Sequence, residues 1–157
     1  MVAQQLWLLR HGEAEPHDSR PDADRRLTPR GEEQSRAAGR ALAALDLPVH
    51  LAFASPKVRA RDTAALACEA LGVTPLEHKP LAEGFDGEEA LALVAASGRD
   101  DRVLVCGHNP DFEQVVLDLT GARVELRKGA VAGIRLASGR RAELVALLQP
   151  RVLARIR

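Results

Sequence analysis

Residues 102–106 read RVLVC, an almost unbroken apolar run with no polar alternation. A run of this kind suits a strand covered on both faces, as in a parallel sheet. Parallel strands need crossovers, and the chain supplies them. Val2–Leu9 is a first short apolar run. A polar, turn-rich loop follows at His17–Arg26. A helix is expected from Pro29, since Ala37, Ala38, Ala41, Leu42 and Leu45 recur at helical spacing. His50–Ala54 predicts a second strand, Pro56–Leu71 an Ala-rich helix and Val73–Glu77 a third strand. Glu88–Ala96 predicts a helix closed by a Ser97-Gly98 turn, and Asp111–Leu119 another helix. The rhythm then changes. Arg123–Leu126, Ala130–Leu136 and Glu143–Leu148 read as strands, with turns at Lys128-Gly129 and Ser138-Gly139. Strand–helix alternation followed by strands predicts an α/β fold. A single domain over residues 1–157 is expected: a three-layer α/β/α sandwich, its mostly parallel sheet carrying antiparallel edge strands.

Composition narrows the function. The chain has 157 residues, enough to bury a sizeable core without disulfide or metal staples. Its 22 basic residues balance 22 acidic ones. A nucleic-acid binder working by bulk charge would run basic, so none is expected. The apolar runs fall short of the roughly 18 residues that a membrane span needs, and no basic-then-apolar leader is visible. No membrane partner is expected, and the expected location is the cytoplasm. Cys68 and Cys106 lie in apolar segments and read as buried hydrophobes.

Three strand ends carry unusual residues. The first run delivers Arg10-His11-Gly12. The second ends in Ser55-Pro56, with Arg59 and Arg61 just beyond. The fourth ends in Gly107-His108-Asn109. Thr28-Pro29, Ser55-Pro56 and Asn109-Pro110 each place a capping side chain before a proline at an expected helix start. Ligands of open α/β sheets bind beyond the carboxyl ends of the strands, where helix N-termini offer N–H groups to anions. Converging there, two histidines and several arginines call for a phosphoryl group as partner.

"LLRHGEAE" resembles the R-H-G signature of the histidine phosphatase superfamily, which includes the phosphoglycerate mutases. "SPKVRARDTA" is similar to its S-P-x-x-R-A-x-x-T-A motif, and "CGHNP" to its second-histidine motif. The short length, "RRLTPRG", "RKGAVAGI" and the closing "LLQP" look most like the compact SixA-type phosphohistidine phosphatases. The resemblance implies a phosphoglycerate mutase-like fold and a phosphatase with no cofactor or metal. It implies His11 as nucleophile, forming a phosphohistidine, and Arg10, Arg59 and His108 as the grip on the phosphoryl oxygens. Gly107 and Asn109 are expected in the phosphate site. Glu83, in "PLAEGFDG", stands where the mutase branch keeps its general acid. Glu77, Asp86 and Asp18 are reserves.

The preferred substrate is phosphohistidine on a protein, such as a histidine phosphotransfer domain. Only residues 84–107 separate Glu83 from His108, too few for a helix and a roof as well. The alternatives are a phosphatase for small phosphate esters (sugar or nucleotide phosphates) and a non-catalytic phosphohistidine-binding module. A metal site from His11, Glu13, Glu15 and His17 lacks a known zinc spacing. His17, His50 and His78 read as surface or strand-edge residues. No Walker loop, nucleophile elbow or C-x₅-R loop is present.

Overall fold

The two apolar sets on the first strand, β1 (Gln5–Arg10), face opposite ways. Leu6 and Leu8 enter one core, and Trp7 and Leu9 another on the far side of the sheet. This is the period-2 geometry of a strand buried on both faces. The computed structural model describes residues 4–98, 101–137 and 141–157.

The six-stranded sheet has the order β3-β2-β4-β1-β5-β6. Its other strands are β2 (Leu51–Ala54), β3 (Leu76–Glu77), β4 (Arg102–Gly107), β5 (Val131–Arg135) and β6 (Glu143–Leu148). β3, β2, β4 and β1 run parallel, while β5 pairs antiparallel with both β1 and β6. Among the described residues five α-helices complete the sandwich. They are α1 (Pro29–Ala44), α2 (Val58–Leu71), α3 (Gly87–Ala95), α4 (Asp111–Thr120) and α5 (Pro150–Leu153). α1, α2 and α5 cover the Trp7 face through Ala38, Ala41, Leu42, Ala64, Ala67 and Leu153. α3 and α4 cover the other through Ala90, Leu93, Val94, Phe112, Val115 and Val116.

α1 and α2 pack with almost no side chain between them. A Cβ on Gly39 would lie 2.1 Å from the Ala67 carbonyl oxygen, so only glycine permits this crossing. The same approach occurs where α1 meets the end of β1. A Cβ on Gly12 would sit 2.5 Å from the Gly31 carbonyl oxygen. Cys68 and Cys106 are unpaired and buried in the Trp7-face core, where burial raises both thiol pKa values.

Several expectations need correction. Arg123–Leu126 forms no strand; it is irregular chain leading to the Lys128-Gly129 turn. The third strand shrinks to Leu76–Glu77, and a terminal helix, α5, was not foreseen. Val2 and the Ser138-Gly139 turn lie outside the described residues. Of the three expected caps Thr28 acts as one, its hydroxyl accepting from Gly31 N at 3.1 Å, while Ser55 Oγ accepts from Lys57 N at 3.2 Å just ahead of α2. α2 starts after Lys57 and α4 after a cis Asn109-Pro110 bond, neither with a side-chain cap at its N-cap position. No helix among the described residues is long and apolar enough to cross a membrane.

Candidate active site

The register of the parallel strands brings the three strand ends together. Arg10 pairs with Gly107 and Ala54 with Cys106, so His11, His108 and Ser55 each take the next step at one edge of the sheet. Backbone bonds extend the pairing. His11 N donates to Gly107 O at 3.0 Å, and Ser55 N to Cys106 O at 3.0 Å. The two imidazoles lie 5.3 Å apart between centroids. Arg59 joins them from the first turn of α2.

His11 is 6% exposed, a recessed rather than solvent-open position. Its Nδ1 lies 2.7 Å from the Gly12 carbonyl oxygen. A carbonyl can only accept, so the proton resides on Nδ1 and the Nε2 lone pair is left free. Burial lowers the His11 pKa to about 3. The Gly12 bond opposes this, and His108, Arg59 and Arg10 add to it. Near neutral pH the ring is therefore an uncharged base.

His108 is held by Ser55, whose Oγ lies 2.8 Å from Nε2. Burial and then Arg59 are the leading causes that lower its pKa to about 3. Its Nδ1 is buried with no protein partner. The Nε N–H groups of Arg10 and Arg59 share that condition. An unsatisfied buried polar group costs about 1–3 kcal/mol, and folded proteins tolerate few. Three of them, on residues that all act electrostatically on His11, mark a place prepared for an acceptor such as an anion.

Both arginines are anchored through their Nη groups. Arg10 donates Nη1 to Leu126 O at 2.9 Å. Arg59 donates Nη1 to the backbone oxygen of Asp22 at 2.7 Å and Nη2 to its carboxylate at 3.3 Å. Asp22 begins a short 3-10 turn, Asp22–Asp24, in the loop after β1. Its carboxylate also receives Lys57 Nζ at 3.0 Å and Arg25 Nη2 at 3.1 Å. The Lys57 hydrogen bond leads the interactions that hold this carboxyl far below the usual range. Sequence reasoning missed Asp22, because nothing local separates it from Asp18 and Asp24. It also gave no role to Thr63, the threonine of "SPKVRARDTA". Thr63 Oγ1 accepts from Gly12 N at 3.1 Å and donates to Arg59 O at 2.7 Å, tying the two motifs together.

The remaining candidates divide. Gly107 ends β4, and a Cβ there would come within 2.7 Å of the Phe112 ring. Asn109 is a correction. Its Nδ2 donates to Glu113 Oε2 at 2.9 Å and Leu126 O at 2.8 Å. A flipped amide would set oxygen against carboxylate, so the amide hydrogens are committed to bracing the loop. The buried Oδ1 can only accept, so this side chain is no phosphate donor. Glu83 is exposed, at the end of the 3-10 turn after β3. The next residue fixes its place, since Gly84 N donates to Asp111 Oδ2 at 3.0 Å at the start of α4. Of the reserves, Asp86 caps α3 through Glu89 N, and Glu77 and Asp18 are exposed. Arg61 is exposed beside Asp62. His17 is exposed, and Glu15 bonds Arg20 and the Arg26 backbone, away from His11. His50 accepts from Arg102 N, and His78 is half-buried between Phe53 and Phe85, not on the surface.

Comparison with known proteins identifies the family and the fold. The model of the histidine phosphatase superfamily (branch 1) matches residues 6–88. An uncharacterized protein of Picosynechococcus sp. is 31% identical over 144 residues, 87% of each chain. Among solved structures, the protein histidine phosphatase SixA complexed with tungstate superposes with a TM-score of 0.84 at 23% identity, over 94% of this chain and 97% of that one. A Nakamurella multipartitia protein assigned as a phosphohistidine phosphatase SixA gives 0.79 at 28%, over 96% and 98%. A phosphoserine phosphatase mutant from Entamoeba histolytica in complex with phosphoserine gives 0.77 at 15%, over 96% and 99%. Sequence relatives and fold point the same way: this chain belongs to branch 1 of the histidine phosphatase superfamily and has the compact fold of its SixA-type phosphatases.

Proposed function

We propose that the protein hydrolyses phosphohistidine on a partner protein, with His11 as the nucleophile. The observation that carries this reading is the set of three buried, unpartnered polar groups around a neutral imidazole whose Nε2 is free. Phosphoryl transfer asks for an in-line nucleophile and preorganised donors for the equatorial oxygens. The His11 Nε2 lone pair forms the new P–N bond as the substrate's P–N bond breaks. The substrate imidazole, protonated on its other nitrogen, leaves as a neutral ring. Nδ1–H of His11 stays on the Gly12 carbonyl, so the phosphorylated His11 ring is cationic and is itself a good leaving group. Water then attacks phosphorus, the His11 P–N bond breaks, and inorganic phosphate leaves. Arg10, Arg59 and His108 hold the oxygens through both steps.

The course of the chain between Glu83 and His108, among the described residues, supports a protein-borne substrate. The stretch between Glu83 and His108 is occupied by α3, and α3 packs into the core through Ala90, Leu93 and Val94 instead of over the site. A nucleophile that α3 leaves uncovered suits a side chain presented from outside. The SixA resemblance agrees with this reading. A second reading, a small-ester phosphatase, draws on the phosphoserine-bound neighbour and on Glu83. An alkoxide leaving group needs a proton, and an exposed carboxyl at the rim could deliver it.

The test is kcat/KM for a phosphohistidine protein, p-nitrophenyl phosphate and an alkyl phosphate, with ³²P trapping of the intermediate. Label on His11 and preference for phosphohistidine are the expected results. Label on another residue would overturn the mechanism. A strong preference for the alkyl ester would favour the second reading.

A further inference from the structure

A groove of about 700 Å3 opens directly from Arg10. Its walls are the start of α1, the turn after Leu126 and the start of α5. Five cations line it: Arg10, Arg30, Arg127, Lys128 and Arg151. Only two carboxylates join them, in a chain whose overall charge is balanced. Glu13 accepts a hydrogen bond from Thr28 Oγ1 at 2.8 Å, and Glu125 pairs with Arg127 at 3.6 Å. Arg30, Lys128 and Arg151 are exposed, and none forms an ion pair among the described residues.

The framework behind these cations is braced. Gln149 accepts from Arg127 N at 3.1 Å and donates to Glu125 O at 2.6 Å. Gly129 N donates to the carbonyls of Arg10 and His11, so the wall of the groove and the floor of the active site share one turn.

We infer that this groove docks an acidic segment of the phosphorylated protein, with carboxylates beside the phosphorylated residue meeting Arg30, Lys128 and Arg151. The inference rests on the proposed protein substrate. Two features favour a protein segment over a small ligand. No aromatic side chain lines the groove, so it offers no stacking platform for a base. The unpaired cations come from three separate segments and end in solvent, whereas a small-molecule site converges a few buried polar groups on one point. Dispersed, solvated charge suits dispersed carboxylates and sets partner choice and encounter rate.

The test separates docking from chemistry. Phosphopeptides with acidic, neutral or basic flanks are made in phosphohistidine and phosphoserine series. Their binding to H11A is titrated, and their turnover by the active enzyme is measured. Acidic flanks should strengthen binding about tenfold over neutral ones at low salt, with basic flanks weakest, as a few exposed ion pairs allow. In R30E/R151E the order should reverse, with p-nitrophenyl phosphate turnover reporting that the double variant is folded. Equal binding of all three flanks would overturn the groove, whatever is turned over. Loss in R30E/R151E of binding to a small bisphosphate, with peptide binding unaffected, would make it a small-molecule subsite and overturn it too. Turnover of the phosphoserine series alone, still favouring acidic flanks, would overturn the phosphohistidine reading and keep the groove.

Discussion

The floor of the site and its rim differ in how their side chains are held. On the floor, His11, Arg59 and His108 are only 5–7% exposed, and each is fixed by a hydrogen bond to Gly12, Asp22 or Ser55. On the rim, Glu83, Arg30, Lys128 and Arg151 are exposed, long and unpaired among the described residues. Groups that stabilise a transition state must be in place before charge develops, since reorientation during the reaction would cost what they supply. Groups that select a partner gain from reach and adaptability. This molecule thus separates the chemistry common to phosphoryl transfer from the choice of substrate.

The largest expected effect is at the floor. H11A should abolish turnover and ³²P labelling while still binding phosphate-like anions; residual turnover above a tenth of wild type would break the distinction. E83Q probes the rim as an acid. Its loss of kcat/KM on an alkyl phosphate should exceed its loss on phosphohistidine by roughly 10²–10⁴, the worth of a general acid. An equal loss on both would place Glu83 with the floor. R59A and R10A should each lower kcat/KM by roughly 10²–10³ on every substrate, the scale for one preorganised donor. A loss confined to one substrate class would assign that arginine to the rim.

Asp22 sharpens the comparison, because it acts through Arg59. D22N keeps the backbone bond to Arg59 and removes the charge, so about a tenfold fall in kcat with little change in KM is expected, the lower end of what a misplaced donor costs. In a double-mutant cycle with R59A the second loss should nearly vanish. Additive losses would show Asp22 working elsewhere.

The smallest effect concerns pH. His11 and His108 have pKa values of about 3 in the folded chain, against an ordinary value of 6.5. Below pH 6.5 the unfolded chain takes up protons that the folded chain refuses. Stability is therefore full above pH 6.5 and declines as pH falls toward 3, by up to about 1.4 kcal/mol per histidine per pH unit. Urea unfolding at several pH values measures this, and H11N should remove about half the slope. The acid limb of kcat/KM, corrected for substrate ionisation, should lie well below pH 6; a limb at 6.5 would mean that the floor is more solvated than the structure has it.

The strand ends were legible in the sequence because they depend on neighbours along the chain. Apolar runs such as RVLVC, the helical spacing in α1 and the Arg10-His11-Gly12 sequence are local signals, and they predicted the parallel sheet and the residues it presents. Tertiary structure decided the rest. β1 and β4, remote in sequence, become neighbours in register, and this alone sets His11 beside His108. Asp22 was chosen over Asp18 and Asp24 because Lys57, Arg59 and Arg25 meet it in space. The two failed caps show the physical reason most directly. Ser55 and Asn109 have the side chains and the following prolines of helix caps, yet Ser55 Oγ is shared between His108 and Lys57 N, and Asn109 gives its amide hydrogens to Glu113 and Leu126 while its oxygen caps nothing. A capping bond is worth about 1 kcal/mol. A buried imidazole left without a partner costs at least as much, so Ser55 serves His108, 53 residues away, as well as its own loop.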